Sequence, residues 1–316
     1  MAGKQGAEER APRYSVVVPV YRSAGTLREL HQRTVAALDG LEGGFEMILV
    51  EDCGGDGSWE VMQELRSKDS RVRIVRLARN FGQHNALLCG FTLARGEYVI
   101  TFDDDLQNPP EEIPALIRCI CSGELDVVNG IPRERQHSLV RNVGSLVHNM
   151  VLSSGAGGKG VTMSSFRIIR KPIVEVLLRM QGPNPAIGLM LLRVTARIGS
   201  LEVGHHERRE GRSTYTLRKL VRLFSFGLLY HSDLPLKGIF FLGLGSLALS
   251  MALGLYYLVL SLAGTITVSG FTTLVLLILF FSGTVMLSLG VLGEFVRRIL
   301  QEVRGTPPYV IKDLDV

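Results

Sequence analysis

Five consecutive positions, Asp103-Asp-Asp-Leu-Gln107, place three carboxylates and one amide directly after an apolar run, Glu97–Phe102. Short apolar runs that end in polar turns are typical of buried strands, so we expect these side chains at a strand's carboxyl end. Carboxylates two residues apart can share one hard cation there, and Gln107 offers a carbonyl oxygen. Oxygen ligands suit Mg²⁺ or Mn²⁺, which neutralise a departing diphosphate. We predict a metal site of Asp103, Asp105 and Gln107; the alternative is a solvated acidic turn.

A second acidic turn, Glu51-Asp52 with Asp56, follows another apolar run, Phe45–Val50. A carboxylate at this position could accept a hydrogen bond from the imide N–H of uracil or from a comparable base edge. Acidic residues after strands are also common turn and cap residues, so this second interpretation stays open.

Basic residues follow in the second part of the chain. Arg133, Arg135 and Arg141 come first, and the segment His205–Tyr215 then carries Arg208, Arg209 and Arg212. Because arginine can bind phosphate through two parallel hydrogen bonds, this segment could hold a donor or acceptor phosphate. No basic face is interleaved with aromatic residues, so we do not expect a nucleic-acid partner.

Strand-like and helix-like segments alternate along the first part of the chain. The predicted strands are 14–20, 45–50, 72–77, 97–102, 126–129 and 198–205, and the predicted helices are 23–41, 59–67, 85–94, 109–121 and 172–180. This alternation favours an α/β fold with a parallel sheet covered by helices. Ligands of such sheets bind beyond the carboxyl ends of the strands, which is where both acidic turns fall.

The segment from Gly238 to Gly293 contains no charged residue. At about 1.5 Å per residue a single helix of this length would far exceed the roughly 30 Å hydrocarbon layer of a membrane. The sequence therefore predicts two transmembrane helices, about 238–263 and 271–293, that fold back at 264–270. The alternative is a buried helical hairpin of a soluble protein.

Charged residues flank the two predicted spans. Lys237 precedes them, and Arg297, Arg298 and Arg304 follow them. The positive-inside rule then places both termini in the cytoplasm. Residues 216–235 mix basic and apolar positions and are predicted to form an amphipathic juxtamembrane helix.

Several motifs together resemble glycosyltransferase family 2, and most closely its polyprenyl-phosphate branch. That branch contains dolichol-phosphate mannose synthases, bactoprenol glucosyltransferases and undecaprenyl-phosphate formamido-arabinose transferases. The motifs are Val18-Pro-Val-Tyr21, Val50-Glu-Asp52, Asn80-Phe-Gly-Gln-His-Asn85, Phe102-Asp-Asp-Asp-Leu-Gln-Asn-Pro-Pro-Glu-Glu-Ile-Pro114, Arg208-x-x-Gly-x-Ser-x-Tyr215 and Leu292-Gly-Glu-Phe-Val-Arg-Arg298.

The resemblance implies a GT-A fold, which is Rossmann-like with a mostly parallel sheet and helices on both faces. It implies five regions: a polar tail (1–13), a cytoplasmic catalytic domain (14–215), the juxtamembrane helix (216–235), the transmembrane hairpin (236–293) and a cytoplasmic tail (294–316).

The resemblance also assigns residues to roles. Asp103, Asp105 and Arg208 would be catalytic, and Asp103, Asp105 and Gln107 would hold Mg²⁺ or Mn²⁺. The nucleotide-sugar would contact Pro19, Tyr21, Glu51, Asp52, Asn80, Gln83, Asp103 and Asp104. The acceptor phosphate would contact Arg133, Arg141, Arg208, Ser213 and Tyr215.

The implied reaction moves a sugar from a nucleotide-sugar, favoured as a UDP-sugar, to a polyprenyl phosphate, favoured as undecaprenyl phosphate, in the inner membrane. It would be metal-dependent and inverting, and relatives of this architecture suggest a homotetramer. One rival is a processive polysaccharide synthase, whose Gln-x-x-Arg-Trp motif is missing because Trp59 is the only tryptophan. The other rival is a non-catalytic nucleotide-sugar-binding membrane protein.

The chain departs from the family pattern at three places. Glu51 stands where relatives usually have Asp, and Asp104 stands where they have a small residue. The segment Val161–Ser165 lacks the acidic residue that many relatives carry just before Phe166.

Overall fold

The structure is a computed structural model of the whole chain. The described residues are 11–133, 162–180, 185–204, 270–303 and 307–315, together with isolated helical positions between 238 and 263.

Apolar, β-branched runs form the strands, and amphipathic segments form the helices between them. The strands are β1 (Tyr14–Val20), β2 (Phe45–Glu51), β3 (Val72–Leu77), β4 (Tyr98–Thr101), β5 (Val127–Pro132), β6 (Arg167–Arg170), β7 (Ile198–Val203) and β8 (Ile311–Asp315). The helices are α1 (Leu27–Leu38), α2 (Ser58–Lys68), α3 (Gln83–Leu93), α4 (Ile113–Ser122, after a 3-10 turn at Pro110–Glu112), α5 (Lys171–Arg179), α6 (Ile187–Val194) and α7 (Phe271–Val303).

One sheet contains all eight of these strands, in the order β7-β5-β6-β4-β1-β2-β3-β8. The central pairs β4–β1, β1–β2 and β2–β3 are parallel, as is β5–β7. The pairs β4–β6, β5–β6 and β3–β8 are antiparallel. The α/β class is confirmed, and the sheet is mixed: parallel at its centre, with β6 and β8 running against their neighbours.

Helices cover both faces of this sheet. Along β1, Val16 and Val18 pack with apolar residues of α1, α2 and α4, whereas Val17 packs with residues of α3, α5 and α6. Side chains of successive strand residues point to opposite faces, so a strand buried on both sides is mostly apolar. This explains the sequence of β1, Tyr-Ser-Val-Val-Val-Pro-Val, in which the buried hydroxyl of Ser15 donates to Glu46 Oε1 at 2.7 Å.

The end of the chain adds a strand that the sequence does not predict. Residues 294–316 are expected as a tail, but α7 continues to Val303 and β8 then pairs antiparallel with β3. The Ala78 N–H donates to the Val310 carbonyl oxygen at 2.8 Å, and the Tyr309 hydroxyl lies 3.3 Å from Thr92 Oγ1. Strand β8 therefore covers the edge of β3, and the residues before β8 contact the loop that follows β3.

Helix α7 contains an 18-residue segment, Phe280–Arg297, that is long and apolar enough to cross a membrane. It is the one such helix among the described residues, and most of the first predicted span, 238–263, lies outside them. The chain divides into two compact units, one holding the sheet with α1–α6 and the other holding α7.

Asp69, just after α2, makes the stability of the sheet unit depend on pH. Its Oδ1 accepts hydrogen bonds from Arg71 N at 3.0 Å and Arg71 Nε at 2.9 Å, and its Oδ2 lies 3.0 Å from His31 Nε2. Burial raises the pKa of Asp69, but these hydrogen bonds outweigh it and lower the pKa to about 2. Because the folded pKa is the lower one, the stabilisation is present above about pH 4 and is lost as the pH falls toward about 2.

The variant Asp69→Asn is therefore expected to lower the free energy of unfolding by about 1–2 kcal/mol at neutral pH, and by less at about pH 3. Denaturant unfolding, followed through the fluorescence of the single tryptophan, Trp59, measures both values. An equal loss at the two pH values would contradict this account of the carboxylate.

Candidate active site

The loops after β1, β2 and β4 meet at one edge of the sheet, because these strands are parallel neighbours. Each of the three loops contains a non-glycine residue with left-handed backbone: Arg22 (φ 56°), Cys53 (φ 56°) and Leu106 (φ 58°). Such conformations are unfavourable for non-glycine residues and are kept where the surrounding structure fixes them, often at functional sites.

Asp104 connects the loop after β4 to the loop after β1. Its Oδ2 accepts hydrogen bonds from Tyr21 N at 2.9 Å and from Ser23 Oγ at 2.5 Å. Thr26 Oγ1 donates to the backbone carbonyl of Asp104 at 2.7 Å. Asp104 thus fixes the conformation of residues 21–26. Helix α1 was predicted to begin at Ser23 but begins at Leu27, because Ser23 and Thr26 hydrogen-bond to Asp104 as part of the loop.

Asp52 makes the corresponding connection from β2 to the loop between β3 and α3. Its Oδ1 accepts from Phe81 N at 2.7 Å, and its Oδ2 accepts from Gly82 N at 2.8 Å. The carboxylate is almost completely buried. Asp52 therefore holds the turn that contains Asn80 and that brings Gln83, the first residue of α3, to the edge of the sheet.

Asp103 receives hydrogen bonds from two further elements. Gln83 Nε2 donates to its Oδ1, and Ser165 Oγ donates to its Oδ2 at 2.6 Å. Two residues later, Asp105 Oδ1 accepts from the backbone N–H of Gln107 at 3.2 Å. Side chains from α3 and from the residues before β6 thus orient the acidic segment after β4.

Burial and neighbouring carboxylates raise the pKa values of Asp103 and Asp104. Burial raises the pKa of Asp104 to about 6, and the charges of Asp103 and Asp105 add to this effect. Burial, with the charge of Asp105, also raises the pKa of Asp103, although Ser165 and Arg167 oppose the change. Like charges held this close disfavour full ionisation, so a bound cation would stabilise all three carboxylates.

The ligands available for a divalent cation are oxygen atoms. In the described part of the chain no three His, Cys, Asp or Glu side chains converge to form a complete metal cage. Two carboxylates, Asp103 and Asp105, suit Mg²⁺ or Mn²⁺, since such ions are commonly held by one or two carboxylates, waters and the phosphates of a substrate. The residues present therefore fit a cation that binds together with a diphosphate.

Residues 15–177 match the model of glycosyl transferase family 2. The chain belongs to glycosyltransferase family 2. It is therefore an enzyme, and the acidic edge of the sheet is its candidate catalytic centre.

The glycosyltransferase is similar to relatives along nearly its whole length. It is 34% identical over 307 residues to an undecaprenyl-phosphate 4-deoxy-4-formamido-L-arabinose transferase of Edwardsiella ictaluri, covering 95% of this chain and 93% of the relative. It is 36% identical over 305 residues to the protein of the same name from Pseudomonas aeruginosa, covering 94% and 89%. Among solved structures, glucosyl-3-phosphoglycerate synthase from Mycobacterium tuberculosis superposes with a TM-score of 0.50 at 20% identity, covering 71% of this chain and 81% of that one, which supports the GT-A fold.

Besides Asp52, Asp103 and Asp104, five residues of this glycosyltransferase were predicted to contact the nucleotide-sugar. Tyr21, Asn80 and Gln83 are exposed at the edge of the sheet. Pro19 and Glu51 are buried, and the Glu51 carboxylate accepts a hydrogen bond from Gly54 N and lies 3.2 Å from Arg76 Nε. Glu51 thus supports the turn after β2 from inside the protein.

The predicted phosphate ligands are described only in part. Arg133 follows β5, is exposed, and its backbone N–H donates to the Val203 carbonyl oxygen at 3.2 Å. The others, Arg141, Arg208, Ser213 and Tyr215, lie outside the described residues.

Sequence reasoning missed Ser23, Ser165 and Arg167 in the glycosyltransferase. The two serines bind Asp104 and Asp103, and nothing in their local sequence marks them. The sequence did contain a signal for Arg167, because it is a charged residue inside the apolar run Phe166-Arg-Ile-Ile169. In the structure its side chain is buried, with 5% of its surface exposed. Charged residues are almost never fully buried without a partner, so such a position deserves a functional explanation.

Proposed function

We propose that this glycosyltransferase moves a sugar from a nucleotide-sugar, most simply a UDP-sugar, to undecaprenyl phosphate. The observation that carries the proposal is the aspartate cluster at the carboxyl edge of the sheet, in a chain that aligns over 95% of its length with a transferase named for undecaprenyl phosphate. The product would be a lipid-phosphate-linked monosaccharide used in building or modifying the cell envelope.

The chemistry would be a direct displacement. A phosphate oxygen of the acceptor forms a bond to the anomeric carbon while the bond from that carbon to the diphosphate breaks. The diphosphate leaves with the electron pair, and attack from the opposite face inverts the anomeric carbon. The acceptor phosphate is already anionic at neutral pH, so positioning and stabilisation of the leaving group supply most of the catalysis.

The described residues agree with a mechanism that needs no strong base. His84, the second residue of α3, lies next to Gln83, and desolvation and the charge of Arg167 lower its pKa to about 4. It is therefore neutral and only weakly basic at neutral pH. Bound Mg²⁺ or Mn²⁺ would neutralise the charge of the diphosphate. The cation would be held by Asp103, Asp105 and the side chain of Gln107.

The same proposal places the enzyme in the inner membrane. Helix α7 contains one apolar segment of sufficient length, and the uncharged run 238–263 would form the other span of the hairpin at 236–293. The catalytic domain (14–215), juxtamembrane helix (216–235) and both termini would be cytoplasmic, with the phosphates held by Arg133, Arg141 and Arg208 and the loop shaped by Ser213 and Tyr215. A homotetramer, also proposed, is tested by mass analysis in detergent.

A donor panel tests the proposal. Purified protein in detergent is given undecaprenyl phosphate, Mg²⁺ or Mn²⁺, and UDP-, GDP- or dTDP-linked sugars, including 4-formamido-arabinose, and the lipid is analysed by mass spectrometry. The proposal predicts glycosylated lipid phosphate from one nucleotide class, and none with chelator. Nucleotide binding without product from any donor would contradict it and favour the non-catalytic alternative.

Glu112 offers a separate prediction about the acceptor. Its Oε1 accepts a hydrogen bond from Gly204 N at 3.0 Å, and Gly204 directly precedes the segment His205–Tyr215. Glu112→Ala should raise the KM for the lipid phosphate about 5- to 10-fold, since one charge-assisted hydrogen bond is lost, with a smaller effect on the donor KM. Steady-state kinetics on both substrates measure this.

The matched control is Glu111→Ala, because Glu111 pairs at the surface with Arg33. It should leave both KM values nearly unchanged. An equal rise of both KM values in the Glu112 variant would show that Glu112 does not act through this segment.

A further inference from the structure

Arg167 occupies an unusual place beside the aspartate cluster. It opens β6, between Thr101 on β4 and Asn129 on β5, and register puts the three side chains on the same face of the sheet. That face is covered by α3, α5 and α6. A Cβ atom added at Gly188, near the start of α6, would lie 3.9 Å from Arg167 Nη1, so the guanidinium reaches toward the beginning of that helix.

Two neighbouring polar groups in this place have no hydrogen-bond partner within the described ranges. Arg167 Nε and Nη1 are buried donors without an acceptor, and Asn129 Oδ1 is a buried acceptor without a donor. The Asn129 amide nitrogen donates to the sulfur of Met163 at 3.8 Å, a long and weak hydrogen bond. An unsatisfied buried polar group costs about 1–3 kcal/mol, so native proteins rarely keep one without a ligand or water to complete it.

Arg167 lies beside Asp103, one of the carboxylates of the candidate active site. Asp103 and Arg167 are close enough to interact electrostatically, and Ser165, two residues before Arg167, donates its hydroxyl to Asp103. Burial lowers the pKa of Arg167 to about 10, which leaves the guanidinium charged at neutral pH, and His84 beside it is neutral. A fixed positive charge with free N–H groups thus lies next to the carboxylate proposed to contact the donor diphosphate.

We propose that Arg167 and Asn129 form a subsite for a substituent on the donor sugar that carries both a hydrogen-bond acceptor and a donor. The acceptor oxygen of the substituent would bind the free N–H groups of Arg167, and its O–H or N–H would donate to Asn129 Oδ1. Hydroxyl and acylamino groups share this chemistry. The inference rests on the proposed use of a nucleotide-sugar, because the sugar lies next to the diphosphate.

This pairing makes Arg167 a specificity-determining residue. A sugar without the substituent would leave the guanidinium and the amide unpaired, and sites built to hydrogen-bond a polar group discriminate strongly against analogues that lack it. The wild-type protein should therefore bind a UDP-sugar with the substituent at least about 10-fold more tightly than its deoxy analogue.

The test measures Kd values by calorimetry for UDP and for three UDP-pentoses that carry hydrogen, hydroxyl or formamido at C4, with the full-length protein in detergent. The variants are Arg167→Met and Asn129→Ser. In each variant the Kd for the substituted sugar that the wild type binds best should come within about 3-fold of the Kd for the deoxy sugar. The Kd for UDP itself should not change.

The matched control is Arg170→Met, on the same strand, because Arg170 is satisfied by the carbonyl oxygens of Leu125 at 2.8 Å and Ile120 at 3.1 Å. It should lower thermal stability without changing the preference among sugars. If both subsite variants bind UDP normally and keep the wild-type preference, or the wild type shows none, the subsite is overturned. If UDP does not bind the wild type at all, the proposed function fails instead.

Discussion

Asp105→Asn is expected to lower the rate of sugar transfer by about 100- to 1,000-fold, since it weakens the stabilisation of the leaving diphosphate. Asparagine keeps the size of the side chain and an oxygen that can accept from Gln107 N, which donates at 3.2 Å. The fold and the loops should therefore survive, and the loss should appear in kcat. Initial rates at saturating donor and lipid phosphate measure it.

The control for this variant is Asp39→Asn, which removes a surface carboxylate paired with Arg71 and should transfer sugar at the wild-type rate. Thermal unfolding should be similar for all three proteins. Wild-type activity of Asp105→Asn at low Mg²⁺ or Mn²⁺ concentration would refute the proposed metal ligand.

Asp52→Ala is the second change with a large expected effect. It removes the acceptor of two backbone N–H groups, Phe81 and Gly82, and leaves both without their partner. At about 1–3 kcal/mol for each of the two unsatisfied groups, the free energy of unfolding should fall by about 2–6 kcal/mol. Because the loop with Asn80 loses its anchor, the donor KM should rise by at least about 10-fold.

Asp126→Ala separates stability from binding. Asp126 is also buried, accepts from Thr195 Oγ1 and Arg197, and lies just before β5, at the edge of the sheet away from the aspartate cluster. It should destabilise the protein to a similar extent and leave the donor KM unchanged. A donor KM that rises equally in both variants would mean that Asp52 acts only through overall stability.

The central strands were predictable from the sequence because they are buried on both faces. The bounds of β1 and β3 agree with the prediction, and β2 extends by one residue, Glu51. Strand β8 was missed because its residues, Ile-Lys-Asp-Leu-Asp, are half polar and mostly exposed, which is typical of a covering edge strand. Helix α6, Ile187–Val194, was missed because its eight residues are too few for periodicity to stand out.

For the candidate site, the chemical types of the residues were predictable, but the partner of each one depends on tertiary contacts. The spacing of Asp103 and Asp105 indicated a cation site without any structure. The hydrogen bonds of Asp104 to Tyr21 and Ser23 join residues more than eighty positions apart, so no local pattern could reveal them. Sequence distance thus separated what could be predicted from what could not.

The most direct test of the central claim is the identity of both products of one reaction. Undecaprenyl phosphate, the accepted UDP-sugar and Mn²⁺ are incubated with the enzyme, the lipid is analysed by mass spectrometry, and the nucleotide is identified by chromatography. Displacement at the anomeric carbon predicts a lipid with one phosphorus atom and one sugar, together with an equal amount of UDP. A lipid diphosphate-sugar with UMP released, or no lipid product, would contradict it.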